Sequence, residues 1–379
     1  MTLFLNGPVH NGPFTLAGRP GKAAGIRLAE ALNQLMGKQP APHLWNTVTL
    51  ANDLRHRTVA LSRGQWERQE LAAKYAPGPA PAAGLLTDTA PQVVALALEI
   101  CQDLLANGTL AVAHVKVRLC RACDHMTGEV DRACRACTID AGTRPAIRQL
   151  LVHDRPDGRP VLARADFHAT RASMPAHLVN LAQSAPQRLL LSRTRACGIS
   201  LGPLGLDASL VLDPRLGLHL AVLAAAAQRG EDPVMTLTEN AAAHIVAYGA
   251  PVRRWGGMQL RYALHGRIPY DQHALRRLFE AHRVTEQLQR QFIQWYLPLC
   301  AWRERAGIAP ARLPALIKFL RRVDLARPAR PADEVLAELQ RNVEAGDRRW
   351  VMDARVLAHA LAYRMDVGSA TEPPEGETG

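Results

Sequence analysis

The sequence predicts an α/β fold built on a parallel sheet, with a cysteine-rich insertion and a helical carboxyl-terminal region. Residues 2–9 are apolar and β-prone, and Gly-Pro and Asn-Gly turns follow them. Residues 21–36 carry apolar side chains at helical spacing, and residues 43–50 have the pattern of a second strand. Strand, loop, helix and strand in this order are typical of the start of a parallel α/β sheet.

The segments that follow alternate between extended and helical patterns. In chain order they are a loop at 76–91, a helix at 90–107, a strand at 110–118, a helical stretch at 163–195 broken at Pro175, a strand at 209–211 and a helix at 216–228. Residues 273–363 are helical nearly throughout, which predicts a bundle. The expected domains are residues 1–95 and 166–265 for the two halves of the sheet, 96–165 for the insertion, 266–367 for the bundle and 368–379 for a disordered tail.

The composition of the chain indicates a globular protein and the kinds of partner that it can bind. The chain has 379 residues, 48% of them hydrophobic, which suffices for a packed core. Its net charge of +12 attracts polyanions such as RNA, nucleotides or acidic lipids, although an Arg-rich coding bias explains part of that charge. The first residues lack a basic leader and no run of 18 apolar residues occurs, so we expect a cytoplasmic protein without a membrane partner.

Four cysteines form two CxxC pairs, Cys120 with Cys123 and Cys134 with Cys137, separated by ten residues. Each CxxC turn directs two thiolates at one point, and two turns complete the tetrahedron that Zn²⁺ accepts. With four cysteine ligands the site is closed, so the predicted zinc is structural. Two unrelated buried cysteine pairs and an iron–sulfur cluster remain as alternatives.

A second motif follows the first predicted strand: Asn6-Gly7-Pro8-Val9-His10-Asn11-Gly12. Parallel α/β sheets bind ligands at the carboxyl ends of their strands. Gly12 permits a close backbone approach, His10 can donate a hydrogen bond to a phosphate, and the next helix offers its positive end. Taken alone, such a loop is also typical of a plain turn.

Together with the cysteine pairs, this loop resembles the Asn-Gly-Pro-x-His-x-Gly-His signature of class I methionyl-tRNA synthetases, with Pro13 in place of the second histidine. Further stretches follow the family's order, over roughly residues 1 to 300: Asn52–His56, Leu191–Arg193, Val211–Gly217, Glu239–His244 and Arg261–Asp271, the last of which resembles the entry to the helical domain. The resemblance implies a class I synthetase-type Rossmann (HUP) sheet with an inserted zinc knuckle.

The resemblance also implies ligands and residue roles. The ligands are ATP with Mg²⁺, a structural Zn²⁺, an amino acid or related carboxylic acid, and tRNA as a candidate acceptor; it leaves the oligomeric state open. The implied roles are His10 on the phosphates, Asn6, Gly7, Pro8 and Gly12 in the nucleotide loop, Glu239, Asn240 and His244 near the ribose, and Asp53, His56 and Asp213 at the substrate.

Besides Pro13, the chain departs from the family in two places. Residues 245–260 occupy the position of the family's KMSKS loop, which binds the ATP phosphates, but they contain no lysine. Arg253 and Arg254 are the candidates to supply the missing cations. The segment Val211–Leu218 has no Trp or Tyr, so methionine is not the expected substrate.

The sequence therefore favours two hypotheses of function. The first is ATP-dependent formation of an acyl-adenylate and transfer to an acceptor, with a small molecule of specialised metabolism as a candidate in place of tRNA. The alternative is a catalytically inactive paralogue that binds tRNA or a partner enzyme. A third hypothesis is a nucleic-acid-binding zinc knuckle on an unrelated α/β scaffold.

Overall fold

The computed structural model describes residues 1–9, 14–50, 60–127, 133–134, 136–155, 161–170 and 174–369. The helices in this part of the chain are α1 (Pro20–Leu35), α2 (Thr47–Leu50), α3 (Arg63–Tyr75), α4 (Pro91–Ala106), α5 (Ala176–Ser184), α6 (Pro214–Ala227), α7 (Glu239–Ile245), α8 (Gln272–Ala281), α9 (Glu286–Gln291), α10 (Leu297–Arg303), α11 (Leu313–Leu325), α12 (Asp333–Glu344) and α13 (Ala354–Ser369). The strands are β1 (Thr2–Asn6), β2 (His43–Trp45), β3 (Leu85–Thr87), β4 (Ala111–Cys120), β5 (Met126–Thr127), β6 (Thr143–Asp154), β7 (Arg188–Leu190), β8 (Ser192–Thr194), β9 (Leu210–Leu212), β10 (Asp232–Thr238), β11 (Arg254–Trp255), β12 (Met258–Gln259) and β13 (Arg261–His265).

The parallel sheet is assembled from distant parts of the chain. Strands β1, β10 and β13 pair in parallel in that order, and β2 pairs in parallel with β3. The side chain of Asn6 connects the two groups, because its Nδ2 donates to Leu44 O at 2.8 Å and its Oδ1 accepts from Leu44 N at 2.8 Å. The resulting order, β3-β2-β1-β10-β13, reverses its direction of growth between β1 and β10. In open α/β sheets such a reversal is where ligands bind.

The central strands of this sheet are buried on both faces, so apolar residues predominate along them. Successive side chains of a strand point to opposite faces. Leu3 and Leu5 accordingly belong to a core that includes residues of α4 and α6, whereas Phe4 belongs to a second core that includes residues of α1 and the carboxyl-terminal helices.

The carboxyl-terminal helices pack directly on α1. Trp295 and Trp302, 1% and 0% exposed, share one hydrophobic core with Leu28 and Leu32 of α1. The predicted parallel sheet and helical carboxyl-terminal region are thus confirmed. None of the helices in the described ranges is both long and apolar enough to cross a bilayer.

The insertion contributes β5, β4 and β6 to a four-stranded antiparallel sheet in the order β5-β4-β6-β7, whose last strand, Arg188–Leu190, lies beyond residue 165. Strands β4 and β6 pair over their length, from Ala111 opposite Val152 to Cys120 opposite Thr143. The first cysteine of the cluster therefore lies at the far end of this long two-stranded ribbon.

Two predictions of local structure are wrong. Within the described parts of 163–195 there is one α-helix, α5, followed by β7 and β8, because a short apolar run fits a strand as well as a helix. The predicted strand at 43–50 ends at Trp45, and Thr47–Leu50 is helical. The segment Arg261–Asp271, which resembles the entry to the helical domain, begins with the third strand of the parallel sheet and ends at Asp271, the cap residue of α8.

Candidate functional site

A cavity of about 670 Å³ opens at the carboxyl ends of β1, β10 and β13. Its walls come from residues 6–9 after β1, the start of α1, the junction of β10 with α7, and residues 265–270 after β13. We call it the strand-end cavity. It lies at the point where the order of the sheet reverses, between β1 and β10, which is the position expected for a ligand site in this class of sheet.

Close backbone contacts shape the cavity. Gly7 N donates to Thr236 O at 2.8 Å, and a Cβ on Gly7 would lie 2.7 Å from the same oxygen. Thr236 Oγ1 in turn donates to Gly25 O of α1 at 2.7 Å. A Cβ on Gly21 would lie 2.1 Å from Ile268 O, so only glycine lets the start of α1 touch the segment after β13.

Five of the predicted nucleotide-binding residues line the strand-end cavity: Asn6, Gly7, Pro8, Asn240 and His244. The last two lie on α7, which begins where the Thr238 hydroxyl accepts a hydrogen bond from Ala241 N at 3.1 Å. The amide of Asn6 is already bonded to β2, so the main contribution of Asn6 is to hold the sheet together at the floor of the cavity.

Of the remaining predicted nucleotide and substrate residues, two lie elsewhere and four are not described. Glu239 does not line the cavity, and its carboxylate lies 3.8 Å from Arg305 Nε. His10, Gly12, Asp53 and His56 fall outside the described residues.

Sequence reasoning missed the cations of this cavity, which are Arg19, Lys22 and Arg267. The candidates it named, Arg253 and Arg254, do not line the cavity. Arg253 donates to Val161 O at 2.6 Å, and its side chain is only 12% exposed. The signal that could have found two of the missed residues is Arg19-Pro20-Gly21-Lys22, a basic pair at the start of a helix.

Asp213 is a saturated buried carboxylate. It is 0% exposed and accepts from Arg215 N at 2.9 Å, from the guanidinium of Arg215 and from Arg193 Nε. Burial opposes its ionisation, but the hydrogen bonds and charges of the two arginines outweigh burial and lower the pKa of Asp213. All four bonds use its two oxygens, so the carboxylate has little capacity left for a substrate ammonium, and Asp213 does not line the strand-end cavity.

The four cysteine sulfurs converge. Their Sγ atoms all lie within 4.8 Å of one another, with 3.7 Å between Cys120 and Cys137 and 3.6 Å between Cys123 and Cys134. A tetrahedral zinc with Zn–S bonds of about 2.3 Å separates its sulfurs by about 3.8 Å. Two of the separations match this value, so the cluster is compatible with a bound zinc.

The two cysteine turns have matching hydrogen bonds. In the first, Asp124 N donates to Cys120 O at 2.9 Å and Ala122 N donates to Cys120 Sγ at 3.4 Å. In the second, Thr138 N donates to Cys134 O at 2.7 Å and Ala136 N donates to Cys134 Sγ at 3.4 Å. Backbone donors to sulfur stabilise thiolate, the form that binds metal.

Comparison with known proteins identifies the fold. The sequence matches no protein family and no curated protein. Two structures of Mycobacterium tuberculosis methionyl-tRNA synthetase with methionyl-adenylate are similar to this chain at 13% identity. The first alignment covers 100% of this chain and 86% of the synthetase chain, with a TM-score of 0.51. The second covers 97% of this chain and 84% of the synthetase chain, with a TM-score of 0.52. At this identity the likeness is one of fold, and it supports a class I synthetase-like architecture.

Proposed function

We propose that this protein activates an amino acid or related carboxylic acid with ATP and transfers the acyl group to an acceptor. The observation that carries this proposal is the strand-end cavity, which joins the Asn6-Gly7-Pro8 loop to the start of α1 and to α7 at the reversal point of the sheet. The acceptor is tRNA or a small molecule with an amine or hydroxyl group.

In the proposed reaction, a carboxylate oxygen of the substrate attacks the α-phosphorus of ATP. The bond from that phosphorus to the α–β bridging oxygen breaks, and pyrophosphate leaves with Mg²⁺. The acceptor nitrogen or oxygen then attacks the acyl carbon, the bond from that carbon to the phosphate oxygen breaks, and AMP leaves while the acceptor's proton passes to solvent. The protein's task is to hold the reactants in line and to stabilise charge on the phosphates.

The proposal assigns roles to residues of the cavity and of the amino-terminal motif. Asn240 and His244 line the cavity on α7 and are the proposed contacts of the ribose. Burial lowers the pKa of His265, another lining residue, to about 4, so this ring stays neutral at pH 7. His10, Asp53 and His56 keep their proposed roles on phosphate and substrate. Asp213 has its own arginine partners, so the proposal assigns no amine to it.

ATP–pyrophosphate exchange across a panel of amino and other carboxylic acids tests this function. We expect one acid to support exchange and His244→Ala to lower it at least tenfold. The matched control is His114→Ala, because His114 is exposed on β4, away from the cavity. If ATP binds but no acid supports exchange, the protein is not an adenylate-forming enzyme.

The saturation of Asp213 favours a second candidate, a paralogue without catalysis that binds tRNA or a partner enzyme. For this candidate the net charge of +12 supplies the attraction to polyanions. Retention of tRNA on a filter at moderate salt, in a protein without exchange activity, would support it.

We also propose that Cys120, Cys123, Cys134 and Cys137 bind one structural zinc. We expect elemental analysis of the purified protein to give one zinc per chain, and Cys123→Ser or Cys134→Ser to abolish stoichiometric binding. Cys101→Ala is the matched control, since Cys101 is a buried cysteine in the hydrophobic core. Iron and visible absorption in place of zinc would indicate an iron–sulfur cluster.

A further inference from the structure

Three cations meet at one end of the strand-end cavity, although they come from two parts of the chain. Arg19 immediately precedes α1, Lys22 lies in its first turn, and Arg267 is the second residue after β13. Arg19 and Arg267 are exposed and Lys22 is half-buried. Arg19 forms a weak ion pair with Asp271, in which Nη1 lies 4.0 Å from Oδ2 and both side chains are exposed.

The placement of Arg19 and Lys22 at the start of a helix is electrostatically unfavourable when no anion is bound. The amino-terminal end of a helix carries positive partial charge and normally attracts acidic residues. The first turn of α1 contains no acidic residue, and Arg19 at its cap position makes no capping hydrogen bond. Burial and the like charges of Arg19 and Arg267 lower the pKa of Lys22. An anion in the cavity removes this repulsion.

The relative position of these cations is fixed by the backbone. Gly21 of α1 contacts Ile268 so closely that a Cβ would lie 2.1 Å from its carbonyl oxygen. Lys22 and Arg267 are the chain neighbours of these two contacting residues. The two cations are therefore held at the junction of two ordered segments and do not depend on a mobile loop.

We propose that Arg19, Lys22 and Arg267 bind the β- and γ-phosphates of the nucleotide in the strand-end cavity, in place of the lysine-rich loop that this chain lacks. The inference rests on the proposed function for the presence of a nucleotide and adds the residues that hold its phosphates. The cations line a concave cavity beside a helix terminus, which fits a compact polyphosphate better than the extended backbone of a nucleic acid.

Isothermal titration with adenosine, ATP and inorganic tripolyphosphate tests the assignment. We expect Lys22→Met and Arg267→Met each to weaken ATP and tripolyphosphate about tenfold or more, the effect of losing one charged hydrogen bond. Binding of neutral adenosine should stay within about twofold of the wild type, and Lys22→Arg should restore most of the affinity. Lys318→Met and Arg330→Met, which remove exposed cations remote from the cavity, are the matched controls.

The outcomes separate this inference from the function on which it rests. ATP binding unchanged in both variants overturns the phosphate assignment, even if exchange activity is present. An equal loss of adenosine and ATP binding shows a structural effect on the cavity wall and also overturns it. Tripolyphosphate binding that depends on Lys22 and Arg267, without adenosine binding or exchange, supports the assignment and rejects adenylate formation. If RNA binding falls in the variants while ATP binding does not, the cations serve a nucleic acid and the assignment is wrong.

Discussion

The side-chain amide of Asn6 makes to Leu44 the two hydrogen bonds that the backbone of a neighbouring strand would make, at 2.8 Å each. Asn6 is 3% exposed and also donates to Gly7 O at 3.0 Å. A residue predicted as part of the nucleotide loop is thus the link between the β2–β3 pair and the rest of the sheet.

Replacing Asn6 should destabilise the protein. In Asn6→Ala the buried Leu44 N and O lose their partners, which costs about 1–3 kcal/mol for each unsatisfied group. Urea unfolding followed by circular dichroism measures this loss. Asn180→Ala, at an exposed position on α5, should stay within about 0.5 kcal/mol of the wild type. Equal stability of Asn6→Ala and wild type would contradict the structural role.

Gly21→Ala should separate α1 from the segment after β13. Its Cβ cannot coexist with Ile268 O at 2.1 Å, so the backbone must shift, and we expect a loss of about 1–3 kcal/mol together with weaker ATP binding. Thermal unfolding and ligand titration measure the two effects. In the control Gly64→Ala the new Cβ meets only the flexible end of Arg68 at 3.6 Å, so neither quantity should fall.

Because of His219, we expect the stability of the fold to fall in a defined range of acidic pH. Its Nδ1 lies 2.6 Å from Arg215 O and its Nε2 lies 3.0 Å from the Tyr262 hydroxyl, which fits one neutral tautomer. Burial lowers the pKa of His219 to about 4, below the value of about 6.5 in an unfolded chain. Its contribution to stability is therefore complete above pH 6.5 and is lost as the pH falls towards 4.

The measurement is the free energy of unfolding between pH 7 and pH 4. In His219→Gln the loss of stability over this range should be smaller by up to about 1.4 kcal/mol per pH unit, the effect of one proton. His114→Gln, at an exposed site, should leave the slope unchanged. The same slope in all three proteins would show that His219 does not resist protonation.

Asp213→Asn should be strongly destabilising. The substitution leaves Arg193 and Arg215 without their shared carboxylate. Breaking such a buried pair costs about 3 kcal/mol, the lower part of the usual range, because the guanidiniums are 31% and 29% exposed. Urea unfolding at pH 7 should show the loss, with Asp140→Asn as the exposed control.

The pH dependence gives a second check on Asp213. Its pKa in the folded protein is lowered, so the stability it contributes is present above about pH 4, the pKa in an unfolded chain, and is lost as the pH falls further. The difference between wild type and Asp213→Asn should therefore shrink below pH 4. A constant difference would show that the ion pairs are not its source.

Local sequence patterns were sufficient to predict some elements of the fold and the cysteine cluster. The apolar spacing of residues 21–36 predicted helix α1 to within one residue at each end, and Gly37, which adopts a φ of +67° after the last turn, marks its end. The spacing of the cysteine pairs likewise predicted their convergence, since a CxxC turn determines where both sulfurs lie.

Other features depend on contacts that no local pattern records. Strand β10 was not predicted, because Gly230 and Pro233 suggest a turn, and its pairing with β1 joins residues about 230 positions apart. Arg267 was missed for the same reason, since it is an ordinary basic residue beside Gly266 until the fold places it on one cavity with Arg19 and Lys22.

The origin of β10 has a consequence for synthesis on the ribosome. Strand β1 precedes its partner β10 in the chain by about 230 residues, since β10 begins at Asp232. At typical elongation rates of about 5–20 residues per second, Leu3, Phe4 and Leu5 remain without their neighbouring strand for roughly 10–50 s. A nascent chain of this kind is a natural client for a chaperone that shields apolar segments until the second half of the sheet is translated.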